Sequence, residues 1–211
     1  MKDTEKELKK KLSAALSYPM SKYFALLIIS LSILNSSCTI LYGIKQRPFD
    51  DKSIAEFVKE FDADESLILK DSLYSIYYYA IDSCSDSTLV KNLFQPLQVH
   101  YLDANFQHLA THINCYASPG LTKLNWSAKG KLANFPPRSD VDAKSCTQGL
   151  EHLLSPYPLK NEEQYYVVIF WNLYMKKQSK HLIKTVEKYI QNKACKLVLV
   201  NNDIWYAETE D

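Results

Sequence analysis

The run Tyr165–Trp171 (YYVVIFW) restricts the fold of this chain more than any other stretch. It is short, continuous, and made of aromatic and β-branched residues. Such a run is a strand buried on both faces, and a strand of that kind sits inside a sheet covered by helices on either side. The residues that follow agree. Between Ser179 and Gln191, the side chains Leu182, Ile183, Val186, Tyr189 and Ile190 fall on one side of a helix. Leu197–Val200 is a second buried strand, and it ends in Asn201-Asn202-Asp203. Strand, helix and strand at this spacing form a βαβ unit with a right-handed crossover. The expected fold class is therefore α/β, a mixed sheet flanked by helices.

Upstream, Ser53-Ile54-Ala55-Glu56 has the form of a capping box, and Ile54, Phe57, Val58 and Phe61 recur at helical spacing. Ser66–Leu69 reads as a short strand. Asp71–Ile81 reads as a helix with a Tyr-rich face, and tyrosines at that spacing are expected to pack rather than to bind. Ser87–Phe94 is a further helix that stops before Pro96, because the residue before a proline avoids the helical region. Leu97–Leu102 and Phe106–Tyr116 are strand-like, and Asp103-Ala104-Asn105 between them predicts a hairpin. Ser118-Pro119-Gly120 marks a break, and Leu121–Phe135 looks like another β-turn-β piece. Ser145–Leu154 is the last helix before the βαβ unit.

That unit resembles the thioredoxin-like fold, in particular the membrane-tethered thiol oxidoreductases outside the cytoplasm. In that family an apolar strand runs into Phe-Trp, two variable residues, an aromatic, and a Cys-x-x-Cys that opens a helix. Here Phe170-Trp171-Asn172-Leu173-Tyr174-Met175-Lys176-Lys177-Gln178 falls in the same register. Tyr174 stands where the aromatic belongs, and Met175 and Gln178 occupy the two cysteine positions. The likeness covers about 40 residues, a length set by one βαβ unit of roughly 30 or more. The family's closing half, with its cis-proline and two strands, has no room after Asp203. The hairpin at 97–116 is a candidate to supply equivalent strands from the N-terminal side. The resemblance also implies that the redox site is absent, since thiol exchange needs a thiolate at a helix start and a resolving thiol. Met175 and Gln178 provide neither.

The first 38 residues bear on location. Tyr23–Leu34 (YFALLIISLSIL) is twelve apolar or small residues behind Lys22, the length of a signal-peptide core and short of the roughly 20 needed to cross a bilayer. Asn35-Ser36-Ser37-Cys38 follows, and it resembles the lipobox of bacterial lipoproteins, with Leu34 one step further out than usual. On that resemblance Cys38 carries lipid and anchors the chain at the cell membrane or outer membrane, with the folded part outside the cytoplasm. An uncleaved anchor over 23–44 is the alternative, and under both the Lys-rich start stays inside. Met20 is a more ordinary initiator than Met1. The organisation expected is a signal segment at 1–38, a tether at 39–52 and a single α/β domain at 53–211. After Cys38 the chain holds 19 basic and 21 acidic residues. That surface lacks the basic field that draws in phosphate backbones, so nucleic acid is not an expected partner.

The other chemistry-bearing residues form no complete motif. Cys84, Cys115, Cys146 and Cys195 contain no Cys-x-x-Cys, and outside the cytoplasm three pairings of them are open. Cys115 falls in an expected strand and Cys195 just before one, so both are expected as structural thiols. His100, His108 and His112 all lie in the hairpin, and with a loop at 103–105 they would share one face. Nucleotide-loop, serine-hydrolase and zinc-protease patterns are missing. No cofactor is implied. The expected function is a non-catalytic binding or structural domain tethered in the cell envelope. Two alternatives stand beside it, a thiol enzyme using Cys115 or Cys195 and a metal module at the three histidines.

Overall fold

The computed structural model describes residues 50–70, 78, 81, 84–119, 124–146, 148–158 and 164–207. All of them belong to the compact unit Tyr42–Asp211. The elements in chain order are α1 (Asp51–Val58), β1 (Glu65–Ile68), α2 (Ser87–Leu93), β2 (Gln98–Leu102), β3 (His108–Ile113), β4 (Ser118–Pro119), β5 (Leu124–Asn125), α3 (Gln148–Leu154), β6 (Tyr165–Trp171), α4 (Lys176–Ile190), β7 (Cys195–Asn201) and α5 (Ile204–Ala207). No helix among the described residues is long and apolar enough to cross a membrane.

The main sheet has five strands in the order β1-β7-β6-β2-β3. β1 and β6 run parallel to β7, while β2 runs antiparallel to both β6 and β3. This is the expected mixed α/β sheet flanked by helices. Its β6-α4-β7 unit carries the thioredoxin-like arrangement, and the hairpin β2-β3 lies beside β6, on the side away from β7. β6 is central, and all its residues from Tyr166 to Trp171 are buried. Its alternate side chains feed two cores. Val167, Ile169 and Trp171 meet Ile54, Phe57, Leu182, Ile183 and Val186 of α1 and α4. Tyr166, Val168 and Phe170 meet Leu89, Leu93, Leu150 and Leu153 of α2 and α3. A continuous apolar strand is thus the consequence of helices on both faces.

Several boundaries differ from the sequence reading. α1 is capped by Asp50, whose side chain accepts from the Lys52 N–H at 3.0 Å. Ser53, read as the cap, instead donates its hydroxyl to Asp50 at 2.5 Å. The helix therefore starts two residues inside the stretch assigned to the tether. α4 begins at Lys176, three residues before Ser179. The expected β-turn-β piece at 121–135 is described only from Leu124 onward, where β5 pairs back with β4 rather than with a later strand among the described residues, so that Ser118-Pro119 is a strand rather than a break. Most of the Tyr-rich segment 71–81 lies outside the described residues. Tyr78 within it is helical and buried, and it stacks on Phe94 and Trp205 at 5.0 Å each.

Candidate functional site

The parallel strands β6 and β7 end together, and what they present there is polar and buried. Asn172, Gln178, Ser179, Asn201, Asn202 and Asp203 are each no more than 2% exposed. Buried amides and carboxylates need partners, and these have them. Asn172 donates from Nδ2 to the Pro96 carbonyl at 3.2 Å and to Asn202 Oδ1 at 3.2 Å, while its Oδ1 accepts from the Met175 N–H at 2.8 Å. Asn202 donates to the same Pro96 carbonyl at 3.1 Å. Asp203 accepts from the Leu173 N–H and from Asn201 Nδ2, both at 2.8 Å. Ser179 accepts from the Asn172 N–H and returns its hydroxyl to the Asn172 carbonyl at 2.7 Å. Pro96, two residues before β2, the end of β6, the end of β7 and the first turn of α4 are thereby knotted together. Sequence reasoning noted Pro96 and 201–203 separately, but their convergence needed the sheet order.

Met175 and Gln178, the positions that the resemblance aligns with the two cysteines, sit on this knot. Met175 is half-buried and packs against the α1/α4 core. Gln178 is fully buried, and its Oε1 accepts from the Leu124 N–H at 2.8 Å. That bond draws β5 onto the start of α4. A dithiol at these positions would need to meet a substrate, whereas here the second position is under another strand. Lys176, the first residue of α4, holds its ammonium 5.5 Å over the Phe57 ring.

The remaining thiols separate into two kinds. Cys84 and Cys146 form a disulfide across a sequence separation of 62, and Cys115 and Cys195 are free. Cys115 is not in a strand and is not buried. It lies in the single helical turn Asn114–Tyr116 after β3, exposed, with its thiol donating to Gln95 Oε1 at 2.9 Å. Cys195 opens β7, and burial pushes its thiol up to about 11, so at neutral pH it carries a proton and is a poor nucleophile.

The three histidines do not share a face. The loop runs through 103–107, held by Asp103, whose carboxylate accepts from the Asn105 and Gln107 N–H groups at 2.9 and 2.8 Å. A bulge between Tyr101 and Leu102 then shifts the register, so that Leu102 pairs with His108 and Tyr101 with Ala110. One slipped residue turns every later side chain to the other face. His100 pairs with Thr111, and both His100 Nδ1 (3.0 Å) and His108 Nε2 (2.9 Å) contact the Thr111 hydroxyl. His112 points the opposite way, against the Tyr101 ring, with Nε2 on the Arg138 carbonyl at 2.9 Å. Among the described residues no group of three or more His, Cys, Asp or Glu could hold a metal ion. Burial holds all three imidazoles below the ordinary value, His100 at about 3.

At the other end of α4 a cleft of about 780 Å³ opens among Glu60, Asp64, Glu187, Lys188 and Lys193, with Cys195 in its wall. Three of its carboxylates are already engaged: Asp64 accepts from the Leu197 N–H at 2.7 Å, Glu187 from the Asp62 N–H at 3.0 Å, and Glu60 pairs with Lys180. Cys38 lies outside the described residues. No family model matches the chain, and no curated protein or solved structure matches it either.

Proposed function

We propose that this chain is a lipid-anchored protein of the bacterial cell envelope, tethered at Cys38. Its thioredoxin-like unit serves binding or structure rather than thiol exchange. The burial of Gln178 under β5 carries this reading. The position that would hold a resolving thiol is occupied by an amide with a structural partner, and the position before α4 is a half-buried thioether packed against the core. Neither group ionises or attacks. The Cys84–Cys146 disulfide supports a location outside the cytoplasm, where such bonds persist. The free thiols do not restore the chemistry, since Cys195 is held protonated and Cys115 has an amide carbonyl, not a base, as its partner.

The test is insulin reduction by the full chain, purified in mild detergent, with dithiothreitol as electron donor. The expected rate is that of dithiothreitol alone. Precipitation of insulin clearly faster than that background would overturn the non-catalytic reading.

A further inference from the structure

Four side chains of the hairpin form a hydrogen-bonded chain whose proton positions can be assigned from heavy atoms alone. Gln98 Nε2 lies 2.5 Å from the Leu93 carbonyl and 2.6 Å from the Gln95 carbonyl. Both partners are acceptors, which fixes the amide's orientation and leaves Gln98 Oε1 as an acceptor toward His100 Nε2 at 3.0 Å. His100 therefore carries its proton on Nε2, and its Nδ1 accepts from the Thr111 hydroxyl. That hydroxyl has one proton, so it must accept from His108, which places the proton of His108 on its own Nε2. The chain leaves one atom over. His108 Nδ1 is buried, bears a bare lone pair, and has no hydrogen-bond partner. Opposite it, at 3.8 Å, stands the carboxylate oxygen Asp142 Oδ1. A lone pair facing a carboxylate cannot bond, but a proton on Nδ1 turns the same pair into a charge-assisted hydrogen bond.

We propose that His108 and Asp142 form an acid-closed clasp, in which protonation of His108 Nδ1 draws Asp142 inward and fastens the segment 138–146 over the outer edge of the sheet. That segment is the cover of β3. Asp140 donates its N–H to the Thr111 carbonyl at 2.8 Å, and Thr111 donates its N–H to Ser139 Oγ at 2.8 Å. An uncovered edge strand is a template for pairing with another chain, so the strength of this cover matters. Asp142 is placed to move, being 71% exposed, with a hydrogen bond from the Lys144 N–H at 3.2 Å and the exposed Lys144 ammonium 4.0 Å from its Oδ2. The groups that face His108 are few. On the cover they are Asp142, which favours the proton, and Lys144, which opposes it. On β2 His100 stays neutral, and on β6 the Tyr166 hydroxyl donates to the Tyr157 carbonyl at 3.1 Å. Burial is the largest influence and keeps closure below the ordinary imidazole range.

The test is nitrogen-resolved NMR of the full chain in detergent micelles, labelled at histidine. At pH 7 His108 is expected as the Nε2–H tautomer, and finding the proton on Nδ1 would overturn the assignment. In acid the wild-type midpoint should lie below 6.5, with Asp142→Asn lowering it by about half a unit or more and Lys144→Gln raising it. Two unmoved midpoints would sink the clasp. Exchange protection of the Thr111 and Asp140 amides, corrected for intrinsic rates, should rise through the midpoint in the wild type and not in Asp142→Asn. Protection that falls in the wild type would refute closure.

Discussion

Gln178 and His100 are both fully buried polar residues, and each bears a different kind of strain on removal. Gln178 accepts from the backbone of β5, so Gln178→Ala leaves the Leu124 N–H without that partner. The expected loss is about 1–3 kcal/mol, read as a lower urea midpoint. An unchanged midpoint would show that the amide is not a latch. His100 matters through pH. Its folded value of about 3 lies below the unfolded value near 6.5, so the unfolded chain takes up a proton first as pH falls. The stabilisation is complete above 6.5 and is lost progressively toward pH 3, reaching a loss of about 3 kcal/mol by pH 4. His108 and His112 shift the same way. Urea melts between pH 6.5 and 4 should give a shallower slope for His100→Gln than for wild type. The histidines themselves were visible as a cluster in the sequence. Their separation onto two faces was not, because a single bulge at Leu102 changes the parity and leaves no mark in a period-two pattern.

Among the elements, α4 shows how much periodicity reveals and where it stops. Leu182, Ile183, Val186 and Ile190 are buried as their spacing requires. The start was misplaced because Lys176 and Lys177 oppose the helix dipole. The Asn172 carboxamide and the Phe57 ring, which favour an earlier start, come from outside the helix. On the other face of the sheet, the disulfide ties Cys84, just before α2, to Cys146, just before α3. Both helices pack on the same core. Closing a loop of 62 residues lowers the entropy of the unfolded chain by an equivalent of about 4 kcal/mol. Cys84→Ala with Cys146→Ala should therefore lower the unfolding free energy by a few kcal/mol, and wild type melted in reductant should follow it. Equal midpoints with and without reductant would place the bond outside the stabilising framework. Spacing alone left three pairings open, because no pair of cysteines is close in sequence.

At the scale of the whole molecule, the anchor and the domain make separate demands. If Cys38 carries lipid, Cys38→Ala should move the chain from the membrane fraction to the soluble fraction, and the mature mass should lose its acyl increment. A variant that stays membrane-bound would favour the uncleaved anchor over 23–44. The domain's plan was largely readable from Tyr165 onward, since an unbroken apolar strand demands helices on both sides and a parallel neighbour. The amino-acid sequence by itself also determined the absence of a dithiol, because residue identity at Met175 and Gln178 decides whether a thiolate can exist. The tertiary structure alone decided the rest. It set a hairpin from earlier in the chain beside β6, brought Pro96 to Asn172 and Asn202, laid β5 over Gln178, and turned His112 away from His100. These are contacts between residues far apart in sequence, fixed by strand order and register. Local periodicity reports only which face a residue prefers, not which neighbour will occupy it.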